Sequence, residues 1–218
     1  MTKISLFLAD DHPVVRNGLK LVLETQSDFI VVGEAEDGRD ALAQLAQRCP
    51  DIVIMDISMP DLNGIEAARH IRDACPDTRI IMLSMHSSTK LVFRALQAGA
   101  HGYLLKGAAN NEVIMAVRTV YSNRRYLSEK ILGKLNTKDI DLLETLDKYD
   151  PLDVLSPRER EVLQLVVEGK SSTEIAQRLY LSVKTVETYR HRLMRKLNIN
   201  NVPGLVKFAI QQDLTSLE

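Results

Sequence analysis

The stretch Asp51-Ile52-Val53-Ile54-Met55-Asp56 is an unbroken apolar run between two acids. Its length predicts a strand, and the lack of polar alternation predicts burial on both faces. Similar β-rich runs lie at 3–9, 29–35, 78–85 and 101–105, and helical apolar spacing fills the gaps at about 13–25, 38–48, 64–74, 88–98 and 110–121. Strands that alternate with helices predict an α/β domain over residues 1–121, with a parallel sheet covered on both faces.

The C-terminal region, residues 153–218, has helix-start signals and no strand pattern. Ser156-Pro157-Arg158-Glu159 combines an N-cap serine, a proline at the first helical position and a glutamate at the third. Ser171 to Glu174 forms a second capping box, Ser182 can cap a third helix, and a last helix is expected at about 203–212. We therefore predict a small all-α domain of four helices.

The segment between these domains, residues 122–152, is predicted to be a partly helical linker. Leu127, Ile131 and Leu135 recur every four residues, which is typical of a helix face. The segment also lacks the glycine and serine content of a flexible coil.

Composition places the chain among globular proteins. Its 218 residues are 45% hydrophobic and 26% charged, which excludes a disordered chain. No apolar run approaches the ~18 residues of a membrane span, so no membrane partner is expected. The first apolar run, Ile4 to Ala9, is short and followed by Asp10 and Asp11, unlike a signal peptide. We expect a cytoplasmic protein in which Cys49 and Cys75 are structural thiols.

The near-zero net charge of −1 conceals a local basic stretch. Residues 182–197 contain five basic residues and one acid. A cluster of this kind on a single helix indicates where a nucleic acid would bind.

Polar and charged side chains follow four of the predicted strands. Asp10 and Asp11 follow the first strand, Asp56 the third, Ser84 the fourth and Lys106 the fifth. An isolated aspartate after a strand is usually a turn former or helix cap, but ligands of open parallel sheets bind beyond the carboxyl ends of the strands. Crowded carboxylates need a cation, and Mg²⁺ prefers oxygen ligands. The pattern predicts phosphoryl transfer to an aspartate, with Asp56 as acceptor and with Ser84 and Lys106 on the phosphoryl oxygens.

Several motifs resemble the receiver domain of bacterial two-component response regulators: Asp10-Asp11, Asp56-x-x-Met59-Pro60-x-x-x-Gly64, Ser84 and Gly102-Tyr103-Leu104-Leu105-Lys106. The resemblance covers residues 1–120 and implies a flavodoxin-like (βα)5 fold with strand order 2-1-3-4-5. It implies Mg²⁺ bound by Asp11, Asp56 and the backbone carbonyl of Ser58, with Asp10 assisting. It also implies a histidine kinase as phosphoryl source and Tyr103 as the aromatic switch residue.

The basic stretch has two faces when drawn as a helix. Val186, Tyr189, Leu193 and Leu197 form an apolar stripe, and the opposite face carries Lys184, Thr188, His191 and Arg195. A solvated amphipathic helix would have the same faces. However, the three-residue connection Tyr180-Leu181-Ser182 to the preceding helix has the spacing of a DNA-binding helix-turn-helix motif.

Three stretches in this domain are similar to the LuxR-type helix-turn-helix: 155–163, 174–176 and 183–190. A receiver with this domain resembles the NarL/FixJ class of response regulators. The resemblance implies base contacts by Glu187, Thr188 and His191, and it includes Thr185 in the DNA-binding set. Phosphate contacts are expected from Lys184, Arg190, Arg192, Arg195 and Lys196. The last helix would form the dimer contact through Val202, Leu205, Val206 and Ile210.

The expected function is a DNA-binding response regulator that becomes a homodimer when a sensor histidine kinase phosphorylates Asp56, and then binds double-stranded DNA and regulates transcription. Its only expected catalysis is Mg²⁺-dependent self-phosphorylation and slow autodephosphorylation. A phosphatase of the haloacid dehalogenase type would need an aspartate at Ser58. A regulator that senses a ligand or partner through the receiver without phosphate remains the alternative.

Overall fold

The computed structural model describes residues 3–135, 151–212 and 214. The chain is divided into two compact units. The first unit includes the described residues up to 135, and the second includes those from 151 onward.

The first unit contains a parallel sheet of six strands in the order β2-β1-β3-β4-β5-β6. All neighbouring strands are parallel. The strands are β1 (Ile4–Ala9), β2 (Phe29–Ala35), β3 (Ile52–Asp56), β4 (Arg79–Ser84), β5 (Gly102–Leu105) and β6 (Tyr126–Leu127). The predicted order of the first five strands is confirmed, and the central position of β3 explains its burial along its entire length.

Helices cover both faces of this sheet. They are α1 (Pro13–Glu24), α2 (Gly38–Leu45), α3 (Gly64–Ala74), α4 (Thr89–Gln97), α5 (Asn110–Tyr121) and α6 (Glu129–Leu132). Residues of α1 and α5 share one apolar cluster with Leu6, Leu8 and Ile54 of the sheet. Residues of α2, α3 and α4 share the other with Phe7 and Met55. Alternate residues of one strand therefore enter opposite cores.

The sixth strand and α6 lie in the segment that the sequence assigns to a linker. Tyr126 N–H donates to the carbonyl of His101, and Ser128 N–H donates to the carbonyl of Tyr103, both at 3.1 Å. The side chain of Ile131 is fully buried in the cluster that contains Tyr103. The beginning of this segment is thus an integral part of the first unit.

Cys49 and Cys75 form a disulfide, which corrects the expectation of two thiols. Cys49 lies between α2 and β3, and Cys75 follows α3. Since α2 and α3 cover the same face of the sheet, their ends meet although 26 positions separate the cysteines. The spacing of two cysteines carries no information about such a contact.

The second unit contains four helices in its described residues: α7 (Pro157–Val167), α8 (Ser172–Leu179), α9 (Val183–Leu197) and α10 (Val202–Gln211). Both predicted capping boxes are present, at Ser156 with Glu159 and at Ser171 with Glu174. The apolar stripe of α9 packs into a core built by all four helices. Throughout the described part of the chain, the helices lack the length and apolar character needed to cross a bilayer.

Candidate functional site

The first site lies at the carboxyl edge of the sheet. Asp10 and Asp11 follow β1, Asp56 ends β3, Ser84 ends β4, and Lys106 follows β5. Because these strands are parallel neighbours, their carboxyl ends share one edge. Asp10 and Asp56 are each 1% exposed and Ser84 is fully buried, an unusual environment for carboxylates.

Lys106 forms ion pairs with both buried carboxylates. Its Nζ lies 2.6 Å from Asp56 Oδ2 and 2.9 Å from Asp10 Oδ2, and its side chain is 8% exposed. Removal of Lys106 would leave two buried carboxylates without their cation, which is strongly unfavourable. The three residues therefore form one electrostatic unit, although they are far apart in the sequence.

Burial raises the pKa of Asp56 above the ordinary carboxyl value, and the nearby Asp10 adds to the rise. The hydrogen bond and positive charge of Lys106, with the Ser58 backbone N–H, oppose it. For Lys106, burial favours a lower pKa, but the hydrogen bonds to Asp56 and Asp10 outweigh it and the pKa is raised. Lys106 is therefore held in its charged form.

The acidic cluster has the donor set of a hard cation. Ligand atoms of Asp10, Asp11, His12 and Asp56 lie within 4.8 Å of one another. Asp10 Oδ2 and Asp11 Oδ1 are buried and accept no well-directed hydrogen bond, although Lys106 and His12 nitrogens lie within 3 Å of them. Oxygens with unused lone pairs fit a Mg²⁺ ion that keeps several waters.

His12 is a site residue that the sequence reasoning missed. Its Nδ1 lies 2.6 Å from Asp11 Oδ1 and 3.3 Å from Asp10 Oδ1. Its position directly after the paired aspartates was the signal that could have revealed it.

The backbone after β4 connects Ser84 to the aromatic residue of β5. Ser84 Oγ accepts from the N–H of His86 at 3.0 Å, and Tyr103 Oη donates to the His86 carbonyl at 2.8 Å. The Tyr103 ring is already fully buried. In this conformation the ring is thus already inside the core, and both contacts converge on the backbone of His86. The role of Tyr103 as the switch residue stays a prediction.

The motif glycine Gly64 has a steric requirement. A Cβ atom there would lie 2.1 Å from the backbone oxygen of Asp56 and 3.1 Å from Ile57 Cα. Backbone atoms cannot rotate away as a side chain can, so only glycine allows α3 to begin this close to Asp56.

Gly64→Ala should destabilise the protein by about 3 kcal/mol, the upper end of the usual cost of overpacking. Chemical denaturation would measure the change. Gly18→Ala is the matched control, since a Cβ in the middle of α1 meets nothing within 4 Å. It should raise the free energy of unfolding by roughly 0.5–1 kcal/mol. Equal effects of the two changes would contradict the steric argument.

The second site is the exposed side of α9. Ser182 caps this helix by accepting from the N–H of Thr185. Lys184, Arg192 and Arg195 are exposed and have no ion pair or side-chain hydrogen bond within the two described units. Thr188 Oγ1 donates to the carbonyl of Lys184 at 2.9 Å. These cations, with the exposed His191, form the surface predicted to face DNA.

Three other charged residues of the predicted DNA-binding set already have partners within the second unit. Ser172 Oγ, at the start of α8, donates to Glu187 Oε1, and Arg190 Nη1 donates to that hydroxyl at 2.7 Å. Lys196 Nζ lies 2.6 Å from Glu159 Oε2 on α7. The phosphate contacts that the sequence predicts for Arg190 and Lys196 are untested, and in this conformation both side chains would first have to leave or share these partners.

The dimer contact predicted on α10 needs a correction. Leu205 is fully buried in the core of its own unit and Val202 packs against that core. Two of the four residues predicted for the dimer contact are thus used inside the unit. Val206 and Ile210, both half-buried, remain candidates for a partner.

The pairing of Glu159 with Lys196 should make stability depend on pH. Burial would raise the pKa of Glu159, but hydrogen bonds from Lys196 and Ser156 outweigh it and lower the pKa below its ordinary value of 4.5. A depressed folded-state pKa contributes stability that is complete above the unfolded-state value and is lost as pH falls through the folded-state value.

We therefore expect Glu159→Gln to cost about 1.5–3 kcal/mol at neutral pH, the range for hydrogen bonds to charged groups, and much less in acid. Hydrogen exchange of peptides from α7 at pH 7 and after acid pulses would measure this. Lys196→Met should also flatten the pH dependence. If Glu159→Gln retains the full acid sensitivity of the wild type, another group is responsible.

Comparisons with known proteins cover both units. Residues 6–118 match the response regulator receiver domain, and residues 153–209 match bacterial regulatory proteins of the luxR family. The chain is 40% identical to response regulator UvrY of Escherichia coli K12 over 215 residues, 99% of this chain and 97% of UvrY. It is 39% identical over 214 residues to oxygen regulatory protein NreC of Staphylococcus carnosus, 97% of this chain and 99% of NreC. A structure of two RcsB dimers bound to two parallel DNAs has a TM-score of 0.57 at 30% identity, covering 95% of this chain and 98% of that chain.

Proposed function

The chain belongs to the response regulators that join a receiver domain to a LuxR-family DNA-binding domain, and we propose that phosphorylation of Asp56 by a sensor histidine kinase controls its binding to double-stranded DNA. It is a transcription regulator and not a conventional enzyme. The observation that carries the proposal is the contact of Lys106 Nζ with both Asp56 and Asp10, at 2.6 and 2.9 Å.

Phosphoryl transfer needs a nucleophile in place and neutralisation of the phosphoryl charge. One carboxylate oxygen of Asp56 forms the new bond to phosphorus, and the bond to the leaving group breaks with its electron pair going to that group. Lys106, held charged by the two aspartates, turns to a phosphoryl oxygen. Ser84 Oγ, fully buried at the adjacent strand end, donates a hydrogen bond to another.

Mg²⁺ fits the oxygens of Asp10, Asp11 and Asp56 with the carbonyl of Ser58, and when bound it supplies charge neutralisation at the phosphoryl oxygens. The two buried aspartate oxygens without a well-directed hydrogen bond support this assignment. Slow hydrolysis of the phosphorylated Asp56, which transfers the phosphoryl group to water, would be the only other reaction of the site.

The assignment of α9 as the DNA-reading helix is supported by three exposed cations that are unpaired within the described units, Lys184, Arg192 and Arg195. Glu187 and Thr188 lie in its N-terminal half, and His191 lies just past its middle. Residues at the start of a recognition helix contact base edges, and exposed cations contact phosphates. We further propose a cytoplasmic protein that is a homodimer in the phosphorylated state, with a DNA-binding domain at 153–218 and a receiver domain that extends past the expected boundary at 121 to include β6 and α6.

Coupling between phosphate and DNA affinity is proposed to begin at His86. Movement of Ser84 Oγ toward the phosphoryl group would release the N–H of His86, whose carbonyl holds Tyr103. That would alter the loop before α4 without requiring the ring to enter the core. A tenfold to hundredfold gain in affinity needs only about 1.4–2.8 kcal/mol of differential stabilisation.

The test is DNA affinity with and without a small phosphodonor and Mg²⁺, on a sequence selected from a random pool. Phosphorylation should strengthen wild-type binding by about tenfold to a hundredfold. Ser84→Ala should accept the phosphoryl group yet lose most of this gain. Unchanged affinity of the fully phosphorylated wild type would contradict the proposal and favour a phosphate-independent regulator.

A further inference from the structure

A three-residue polar cluster joins α8 to α9, the proposed DNA-reading helix. Ser172 Oγ donates to Glu187 Oε1 and accepts from Arg190 Nη1 at 2.7 Å. Arg190 Nη1 also lies 3.8 Å from Glu187 Oε1. The hydroxyl thus uses its one hydrogen on the carboxylate and a lone pair on the guanidinium.

This cluster occupies only one of the two carboxylate oxygens of Glu187. Glu187 is the fifth residue of α9 and its side chain is 52% exposed. Its Oε1 is held, whereas Oε2 accepts no hydrogen bond within the described part of the second unit. An acceptor oxygen in a fixed orientation is therefore presented on the first turns of the helix, which contact base edges in helix-turn-helix proteins.

A carboxylate can only accept hydrogen bonds, so it favours a base edge that offers a hydrogen-bond donor. The major-groove edge of cytosine offers the N4 amino group, a donor. Guanine O6 and N7 and thymine O4 are acceptors and repel a carboxylate, and adenine pairs its N6 donor with the acceptor N7. Cytosine is the base that satisfies Glu187 without a repulsive neighbour.

A carboxylate near DNA is also repelled by the negatively charged phosphates. Arg190 supplies a positive charge close to Glu187, and the Ser172 hydroxyl removes the rotamer freedom that the long side chain would otherwise lose on binding. The cluster therefore has both features that a preorganised base contact requires.

We infer that Glu187 reads one cytosine in each half-site, with Ser172 and Arg190 as positioning residues that hold its carboxylate for the N4 amino group. The inference rests on the proposed DNA-binding function and adds the base that is read. It also gives Arg190 a role other than a free phosphate contact.

The experiment is selection from a random double-stranded DNA pool by the full chain, followed by affinity measurements on the selected sequence. The wild type should require cytosine at one position per half-site, and a change to thymine there should weaken binding by about 5-fold to 150-fold, the usual value of one base contact. Ser172→Ala should reduce this discrimination to below about 3-fold, whereas Ser172→Thr, which keeps the hydroxyl, should retain it. Glu187→Gln should move the preference to adenine, which glutamine pairs with through N6 and N7.

Arg192→Ala is the control, because loss of a phosphate contact weakens all sequences alike and leaves the cytosine preference intact. If Ser172→Ala lowers only thermal stability or binds all sequences equally less, and the cytosine preference persists, the cluster is structural and the inference is wrong. If wild-type protein selects a sequence in which no cytosine depends on Glu187, the inference fails and the proposed function stands. If it binds no DNA, both fail.

Discussion

Asp56→Asn should abolish the single phosphoryl adduct that the wild type acquires from a small phosphodonor and Mg²⁺. Asparagine has the shape of aspartate but no carboxylate oxygen to form the acyl phosphate. Asp56 is also the carboxylate closest to Lys106, at 2.6 Å. Intact-mass spectrometry of the two proteins after equal incubation would measure the loss, which we expect to be complete.

Asp61→Asn is the matched control for this prediction. Asp61 lies five residues further along and has a left-handed backbone conformation with φ of 63°, which asparagine adopts readily. It should therefore fold normally and take up one phosphoryl group. An undiminished adduct on Asp56→Asn would show that another side chain is the acceptor.

The affinity for DNA should fall steeply with salt, and the slope should identify which cations contact phosphates. Each phosphate contact contributes about −0.9 to the slope of log affinity against log salt. Lys184, Arg192 and Arg195 would together give about −2.7 per monomer, or roughly 40-fold between 50 and 200 mM salt. The five cations named from the sequence would give about −4.5.

Lys184→Ala and Lys196→Ala form a matched pair for this measurement. Lys184→Ala should reduce the slope by about 0.9, because it removes an unpaired cation from the DNA-facing side. Lys196→Ala should leave the slope unchanged and weaken the second unit, because its Nζ is bound to Glu159. Titration by fluorescence anisotropy at several salt concentrations would measure both. A drop in slope for Lys196→Ala would mean that DNA displaces Glu159.

Local patterns in the sequence predicted much of the architecture. The apolar runs predicted the first five strands, and the serines before α7, α8 and α9 predicted where these helices begin. Such signals act over a few residues, because capping and side-chain periodicity depend only on neighbours in the chain. The convergence of Asp10, Asp56 and Lys106 was also predictable, since parallel strands end at one edge.

Contacts between distant residues could not be derived in this way. No local signal near Cys49 indicates that it pairs with Cys75. In the sequence, the paired residues Arg190 and Lys196 cannot be distinguished from the unpaired Arg192. The Tyr103 ring could have lain inside or outside the core, and residues 126–132 could have remained a linker. Each outcome depends on which surfaces meet when the helices pack.

The sequence by itself therefore determined the order of the first five strands and five helices, the starts of the capped helices α7, α8 and α9, and the chemical character of both sites. The tertiary structure alone decided the disulfide, the sixth strand, the burial of Tyr103, and which cations of α9 are already paired. The physical reason is that strand and cap formation are satisfied by hydrogen bonds within a few residues, whereas a side chain such as Lys196 chooses its partner only after packing has brought α7 beside α9.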